Sequence, residues 1–166
     1  MPSRGFGPVA DATATTLLLG SLPGTLSIAR HQYYAQPRNA FWRIVEALFA
    51  IPLDQPYDAR LRSLTDHRIA LWDVCASAHR PGSLDADIDR ATVVVNDFQG
   101  FFAAHPRITR IFFNGATAAA LYRRLVLPRL SDPHRHLETR TLPSTSPAHA
   151  RLSYEAKLDA WRSLLD

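Results

Sequence analysis

Residues 17–42 read LLLGSLPGTLSIARHQYYAQPRNAFW, and they join a strand pattern to a helix pattern through a constrained turn. The three leucines form the short apolar run of a buried strand, which ends at Gly20. A further glycine, two prolines and two adjacent tyrosines follow before a helical pattern begins. Phe41, Ile44 and Leu48 mark one face of that helix. A strand followed by so many special residues predicts that the turn does more than redirect the chain.

The same alternation of strand and helix patterns continues to the end of the chain. The predicted strands are Thr16–Ser21, Arg68–Cys75, Thr109–Asn114 and Leu137–Leu142. Helices are predicted from Phe41, from Asn96 or Asp97, across residues 115–126, and from an N-cap at Ser153. Because such alternation builds βαβ units, we expect an α/β fold, a three-layer α/β/α sandwich around a central, mainly parallel four-stranded sheet. Val93–Val95 fits a short extra strand and a loop equally well.

The domain organisation is predicted to be simple. A chain of 166 residues is long enough to bury one hydrophobic core, and no repeat or linker divides it. We expect residues 1–14 to be a poorly ordered lead-in and residues 15–166 to form a single domain. In the last helix, Leu158, Trp161 and Leu165 are predicted to share the buried side.

Composition excludes several classes of protein. No apolar run approaches the ~18 residues of a membrane span, and the N-terminus lacks the features of a signal peptide, so a cytoplasmic protein is expected. The single cysteine, Cys75, excludes a disulfide framework, a zinc knuckle and an iron–sulfur cluster held by cysteines, and we expect it in the core. The net charge of +4, supplied almost entirely by arginine, is a modest indication of a polyanionic partner.

Polar residues stand at the carboxyl ends of the predicted strands, where open parallel sheets bind ligands. Asp73 and Asn114 belong to the second and third strands, although a purely structural sheet needs neither residue. The fourth strand leads into LPSTSPAHA at residues 142–150, in which serines alternate with prolines. The hydroxyl and N–H groups of this loop suit phosphate oxygens, and an ordinary turn is the alternative. The sequence therefore predicts a ligand site at this edge of the sheet.

Further candidates lie in the segment after the first strand. Asn39, just before a helix, is interpreted either as an N-cap or as an amide that holds a water molecule or a polar substrate group. Tyr33 and Tyr34 either belong to the core or stack against a flat base. Other patterns carry no site: glycine motifs for phosphate are absent, His134–His136 is interpreted as a solvated loop, and Asp85–Asp89 as a helix start or turn.

Taken together, these blocks resemble the uracil-DNA glycosylase superfamily, and within it the hypoxanthine-DNA (deoxyinosine) glycosylase branch. The blocks are LLLGSLPGTLSIARHQYYAQPRNAFW, IALWDVCASAHRPGSLDADI, IFFNGATA, LPSTSPAHA and SYEAKLDAWRSLL, in the family's order from residue 16 to the end. The mismatch-specific uracil-DNA glycosylases are similar at a greater distance. The resemblance implies a monomeric DNA repair enzyme that flips a deaminated base from the duplex. It also implies hydrolysis of the glycosidic bond without a metal or organic cofactor, which leaves an abasic site.

The resemblance also implies roles for particular residues. Asn39 is the catalytic residue that positions water, a task that superfamily members give to a polar residue at the place of Leu22. The base-binding residues are Ser21, Leu22, Tyr34, Asp73 and Asn114. Among them, Tyr34 is expected to stack on the base and Asp73 to accept a hydrogen bond from its edge. The loop residues expected to contact DNA are Pro143, Ser144, Thr145, Ser146 and His149.

Two positions depart from the family pattern. Uracil-specific relatives often have a histidine before Pro-Ser that donates to the developing oxyanion, and here this residue is Leu142. Where the hypoxanthine branch is expected to have asparagine, the loop has His149. We therefore expect excision of hypoxanthine, with a mismatch-specific uracil-DNA glycosylase as the alternative. A nucleic-acid-binding α/β module without activity is the second alternative.

Overall fold

A parallel four-stranded sheet forms the centre of the structure, a computed structural model that describes residues 1–166. The seven strands are, in chain order, β1 (Ser3–Arg4), β2 (Thr16–Gly20), β3 (Ile69–Asp73), β4 (Cys75–Ala78), β5 (Val94–Val95), β6 (Arg110–Asn114) and β7 (Glu138–Leu142). The central sheet has the order β3-β2-β6-β7, and every neighbouring pair is parallel. The predicted sheet is therefore confirmed.

Seven α-helices surround the sheets. They are α1 (Thr25–Arg30), α2 (Phe41–Phe49), α3 (Tyr57–Asp66), α4 (Phe98–Ala104), α5 (Ala116–Leu121), α6 (Asp132–Arg135) and α7 (Tyr154–Trp161). The carboxylate of Asp97 accepts from the N–H of Gly100, and the hydroxyl of Ser153 accepts from the N–H of Ala156, so both predicted helix starts are confirmed. None of the helices combines the length and the apolarity that crossing a membrane would need.

Three strands of the central sheet, β2, β3 and β6, are almost entirely buried on both faces. Because successive side chains of a strand point to opposite sides, Leu17 and Leu19 pack against α4 and α5 while Leu18 packs with α2 and α7. All three leucines are fully buried, and each stabilises the fold by about 1.5–3 kcal/mol. Helices thus cover the sheet on both sides, which confirms the three-layer α/β/α architecture.

The second predicted strand is in fact two strands in different sheets. β3 ends at Asp73, and after Val74 the chain enters β4, which lies between β1 and β5 in a small antiparallel sheet. The N–H groups of Val74 and Cys75 donate to the carbonyls of Gly20 and Ser21, so the chain stays beside the end of β2 as it changes sheet. Cys75 is fully buried, and Val94–Val95 forms the short strand that the sequence left open.

The first 14 residues, expected to be a poorly ordered lead-in, are hydrogen-bonded to the domain. β1 pairs with β4, and Val9 exchanges two backbone hydrogen bonds with Leu71. The indole N–H of Trp72 donates to the carbonyl of Phe6, and the hydroxyl of Tyr33 donates to the carbonyl of Gly7. These long-range partners leave no signal in the segment's own sequence, and the expectation of a loose lead-in does not fit them.

The end of the last helix also differs from the prediction. After Trp161 the chain tightens into a 3-10 turn at Arg162–Leu165, which has fewer residues per turn than an α-helix. The change of period turns Leu164 into the core, where it is 5% exposed, and leaves Leu165 53% exposed. Leu164, not Leu165, therefore shares the buried side with Trp161.

Candidate active site

A cavity of about 810 Å³ opens where the central strands end. Gly20, Asp73 and Asn114, the last residues of β2, β3 and β6, all line it. The remaining walls come from the turn at 21–27, the segment 33–39, the loop at 83–86, residues 115–117 at the start of α5 and the loop at 144–149 after β7. The fold thus gathers at one place the strand ends, the segment after the first strand and the loop at 144–149, which the sequence singled out separately, together with the loop at 83–86, which it did not.

Asp73 is the buried carboxylate of this cavity. It is 3% exposed, and its Oδ2 atom is buried without a hydrogen-bond partner. Burial, assisted by repulsion from Asp85 and opposed by attraction to Arg80, raises the pKa of Asp73 to about 7. A buried acceptor that the protein leaves unpaired is suited to a ligand N–H group.

Gly20 gives the Asp73 side chain its room. Gly20 pairs with Asp73 across the β2–β3 register. A Cβ atom on Gly20 would overlap Asp73 Oδ1 and would lie 3.0 Å from the hydroxyl oxygen of Tyr34. The absence of a side chain at this position therefore allows the carboxylate and the phenol to converge over the strand end.

Tyr34 is held in a strained backbone conformation. Its φ of 56° lies in the left-handed region, which bulky residues rarely adopt. The flanking residue Tyr33 anchors the segment, because its N–H donates to the hydroxyl of Tyr57 and its carbonyl accepts from the indole of Trp42. Such strain persists where the surroundings over-determine it, and it is common at functional sites.

The Tyr34 side chain is held by its ring, while its hydroxyl is left unpaired. Its ring stacks on Phe41, with centroids 4.0 Å apart and an interplanar angle of 23°, so one ring face is already covered. Its hydroxyl is buried, and its proton has no acceptor. Burial, followed by repulsion from Asp73, raises the pKa of this phenol far above its ordinary value, although the nearby Asn114 amide opposes the shift.

Asn39 lines the cavity beside the start of α2. Its side-chain oxygen accepts from the N–H of Phe41 at 2.9 Å, whereas the N-cap position itself is Ala40. This Asx turn fixes which amide atom is the oxygen, and one lone pair of that oxygen remains for another donor. The cap-like role and the role in the cavity, which the sequence posed as alternatives, are compatible in one residue.

Asn114 and Thr145 form a buried reciprocal pair. The Asn114 amide nitrogen donates to Thr145 Oγ1 and its oxygen accepts from the Thr145 N–H, both at 2.9 Å. The carbonyl of Thr145 accepts from the N–H of Ala40, which ties the loop to the start of α2. Asn114 thus braces the loop. Thr145 is 1% exposed, so its assignment as a DNA contact was wrong: the side chain points inward to Asn114.

The other loop residues remain accessible at the rim. Ser144 Oγ accepts from the N–H of Ser146, and Ser146 Oγ accepts from the N–H of Ala148, so both hydroxyl protons are free to donate outward. The carbonyl of Pro143 accepts a hydrogen bond from the indole N–H of Trp161. His149 is half-buried in the cavity wall.

Lys157, the chain's one lysine, supports the same loop. It is 5% exposed, and its Nζ donates to the carbonyl of Ser146 at 3.2 Å. Burial lowers the pKa of this ammonium group. Nothing in the sequence connects a residue of the last helix with the loop, because only the fold brings them together.

Sequence reasoning also missed a second carboxylate. Leu22 is buried and offers no polar group, but the neighbouring Ser21 hydroxyl donates to Asp85 Oδ1 at 2.5 Å. The buried guanidinium of Arg80 donates to the carbonyls of Leu22 and Pro23, which fastens the loop that carries Asp85 onto the turn. Burial raises the pKa of Asp85, against the Ser21 hydrogen bond.

No three His, Cys, Asp or Glu side chains come together as a metal site.

The sequence signal for Asp85 was the motif RPGSLD at residues 80–85, in which turn residues precede an aspartate, but its partner Ser21 is 64 residues away. The site therefore consists of four groups around the turn at 21–27, with Ser144 and Ser146 at the rim. These groups are the carboxylates of Asp73 and Asp85, the phenol of Tyr34 and the amide of Asn39.

Comparison with known proteins identifies relatives of this chain. A hypoxanthine DNA glycosylase of Methanosarcina acetivorans is 39% identical over 154 residues, 92% of each chain. One of Methanosarcina barkeri is 38% identical over 116 residues, 69% of this chain and 72% of the relative. The NMR structure of a candidate uracil DNA glycosylase from M. acetivorans superposes with a TM-score of 0.79 at 36% identity, with full coverage of both chains. The family model of the uracil DNA glycosylase superfamily matches residues 6–165, and the chain belongs to that superfamily.

Proposed function

We propose that this chain is a DNA glycosylase that excises hypoxanthine from deoxyinosine and leaves an abasic site. The observation that carries the proposal is the unpaired, buried Oδ2 of Asp73 in a cavity at the strand ends. In its ionised form, which predominates above a pH of about 7, the carboxylate of Asp73 only accepts hydrogen bonds, so it suits the N1–H of hypoxanthine and repels the N1 lone pair of adenine. Relatives named hypoxanthine DNA glycosylases support the same substrate.

DNA binding is assigned to the rim of the cavity. Ser144 and Ser146 present hydroxyl donors for phosphate oxygens, and Pro143 and His149 shape the same loop. The net charge of +4 favours association with the polyanion. The target nucleotide must leave the stack to reach Asp73, which costs a few kcal/mol and least for a mispaired base.

Bond cleavage is assigned to an oxocarbenium-like path. The C1′–N9 bond breaks, its electron pair leaves with the base, and a water oxygen bonds to C1′ while its proton passes to solvent. The Asn39 amide oxygen holds that water. An amide is not a base at neutral pH, so Asn39 contributes position and dipolar stabilisation.

The enzyme is expected to be monofunctional. A lyase step through a Schiff base needs an accessible amine at the site. Lys157, the chain's one lysine, is buried under the loop and bonded to the Ser146 carbonyl. The product therefore retains an intact backbone until alkali cleaves it.

Uracil is the second candidate base. The structural relative described as a candidate uracil DNA glycosylase favours it, and Asp73 would accept the N3–H of uracil equally well. Leu142 is buried where uracil-specific relatives often place a donor, which weighs against uracil as the main substrate.

The test is alkaline strand cleavage after incubation with 5′-labelled duplexes that carry deoxyinosine, deoxyuridine or only normal bases. We expect cleavage at deoxyinosine that is lost in Asn39→Ala, while duplex affinity by fluorescence anisotropy is retained. Asn39→Ser is the matched control, because a hydroxyl can still accept from the N–H of Phe41. Cleavage confined to deoxyuridine, or wild-type turnover in Asn39→Ala, would contradict the proposal.

A further inference from the structure

We propose that the hydroxyl of Tyr34 donates a hydrogen bond to the 6-oxo group of the bound base and stabilises the charge that develops there during bond cleavage. This inference rests on the proposed function, and it assigns to the phenol a catalytic contact in place of the stacking role that the family resemblance implies.

The first observation is the unpaired hydroxyl. A buried tyrosine O–H normally finds an acceptor, as the adjacent Tyr33 does by donating to the carbonyl of Gly7 at 2.9 Å. The Tyr34 hydroxyl is also shielded from solvent, and its proton has no acceptor, because the neighbouring Asn114 amide acts on the phenol oxygen as a donor. An unpaired buried donor is costly to keep in a fold, so its presence at the cavity indicates a position that serves a bound group.

The second observation is the neighbour of that hydroxyl. Tyr34 and Asp73 converge over Gly20, whose missing Cβ leaves room for both groups. A donor beside an acceptor matches the lactam edge of hypoxanthine, in which O6 accepts and N1–H donates. Adenine presents the reverse pattern on this edge, an amino donor at C6 and an acceptor at N1, so the same pair of groups rejects it.

The third observation is the fixed ring. Phe41 covers one face of Tyr34 at a centroid distance of 4.0 Å. The segment is further anchored through Tyr33 by Tyr57 and Trp42. A ring whose hydroxyl meets the edge of the base in the base plane cannot also lie flat on the base. The geometry therefore favours an edge-on contact.

The other side-chain donors around the strand ends have partners of their own. The hydroxyl of Ser21 donates to Asp85, and one of the two N–H groups of the Asn114 amide donates to Thr145, while that amide also acts as a donor toward the phenol oxygen of Tyr34. Leu142 occupies the place where uracil-specific relatives often have a donor, and it is buried and apolar. The O–H of Tyr34 has no acceptor in the protein and lies beside Asp73 over Gly20.

Cleavage of the C1′–N9 bond requires no proton transfer from Tyr34 to the base. As the C1′–N9 bond breaks, its electron pair spreads through the purine ring onto O6, and the Tyr34 O–H bond stays intact while it donates to that oxygen. Water then adds to C1′ and releases its proton to solvent. Because burial raises the pKa of Tyr34, the phenol keeps its proton throughout the neutral range.

The experiment compares Tyr34→Phe and Tyr34→Leu with wild type in single-turnover excision from a deoxyinosine duplex. Loss of one oxyanion donor typically lowers the rate by about 100-fold or more, and we expect this fall in Tyr34→Phe although the ring remains. Tyr34→Leu, which also lacks the ring, should be at least as slow. Tyr154→Phe, at a half-buried tyrosine that does not line the cavity, is the matched control.

Two further measurements distinguish a catalytic role of Tyr34 from a structural one. The melting temperature of Tyr34→Phe should equal or exceed that of wild type, because the substitution deletes an unpaired polar atom. Its affinity for the deoxyinosine duplex, measured in an Asn39→Ala background, should stay within a few-fold of the parent. A wild-type rate in Tyr34→Phe, or a rate loss matched by lost stability or lost duplex affinity, would overturn the inference. If wild type itself spares deoxyinosine, the proposed function fails first.

Discussion

The carboxylate of Asp73 should make the protein less stable as the pH rises, and Asp73→Asn should remove that dependence. Burial, with repulsion from Asp85, raises the pKa of Asp73 from 3.8 to about 7 despite the opposing Arg80. A raised pKa means that the folded state holds the proton more tightly than the unfolded state. The stabilisation is therefore fully present below pH 3.8 and is lost as the pH rises through about 7.

The size of the effect follows from the two pKa values. At about 1.36 kcal/mol per pKa unit, the rise from 3.8 to about 7 corresponds to about 4 kcal/mol at alkaline pH. Asparagine has nearly the same shape and does not ionise. We therefore expect Asp73→Asn to match the stability of wild type in acid and to exceed it by a few kcal/mol above neutrality, while excision of hypoxanthine falls.

Urea unfolding followed by tryptophan fluorescence measures this difference directly. The three tryptophans, Trp42, Trp72 and Trp161, are all buried and should report the loss of the core. The free energy of unfolding is compared for wild type and Asp73→Asn at several pH values between about 3.5 and about 8.5. Asp87→Asn, at an exposed position in the 3-10 turn after Asp85, is the control. Parallel curves for wild type and Asp73→Asn would refute the reasoning.

Three other substitutions test the supports of the site. Gly20→Ala places a methyl group against the carboxylate of Asp73, and single-turnover excision should fall by about 100-fold because the reacting groups are displaced. Thr145→Val leaves the buried amide of Asn114 without its acceptor, and the free energy of unfolding in urea should drop by about 1–3 kcal/mol. Lys157→Met keeps the apolar stem but loses the hydrogen bond to the loop, so steady-state kinetics should show a several-fold higher KM with kcat little changed.

Matched controls exist for the first two of these variants. A Cβ atom on Gly7 would meet nothing within 4 Å, so Gly7→Ala should keep wild-type excision. Thr141 is exposed on β7, and Thr141→Val should leave the unfolding free energy nearly unchanged. Wild-type activity in Gly20→Ala would show that Asp73 does not need its observed position. An unchanged KM in Lys157→Met would show that the loop holds its shape without the ammonium group.

Local sequence pattern was sufficient for the framework of the fold. The three leucines at 17–19 marked a strand buried on both faces, and the caps at Asp97 and Ser153 marked two helix starts, because these signals act within a few residues. The position of Asp73 at a strand end could also be predicted from the sequence, since parallel strands carry their ligand sites at one edge. These features need no knowledge of distant contacts.

The parts that sequence reasoning missed all depend on distant partners. Asp85 reaches the cavity through Ser21, which lies 64 residues earlier, and Thr145 turns inward because Asn114, 31 residues earlier, pairs with both its hydroxyl and its N–H. A serine-threonine loop looks the same in sequence whether a hydroxyl faces solvent or a buried amide. The hydroxyl of Tyr34 became informative only when its lack of a partner was visible.

The two outer strands of the central sheet differ in how they resist self-association. Unpaired strand edges invite other chains to add on and begin aggregation. On one side, Val9 lies along β3 and exchanges backbone hydrogen bonds with Leu71. On the other side, β7 is solvent-exposed over most of its length but carries Glu138 and Arg140, charges that oppose edge-to-edge pairing. Removal of residues 1–9 should therefore lower solubility by uncovering an apolar edge, even though those residues lie outside the catalytic groups.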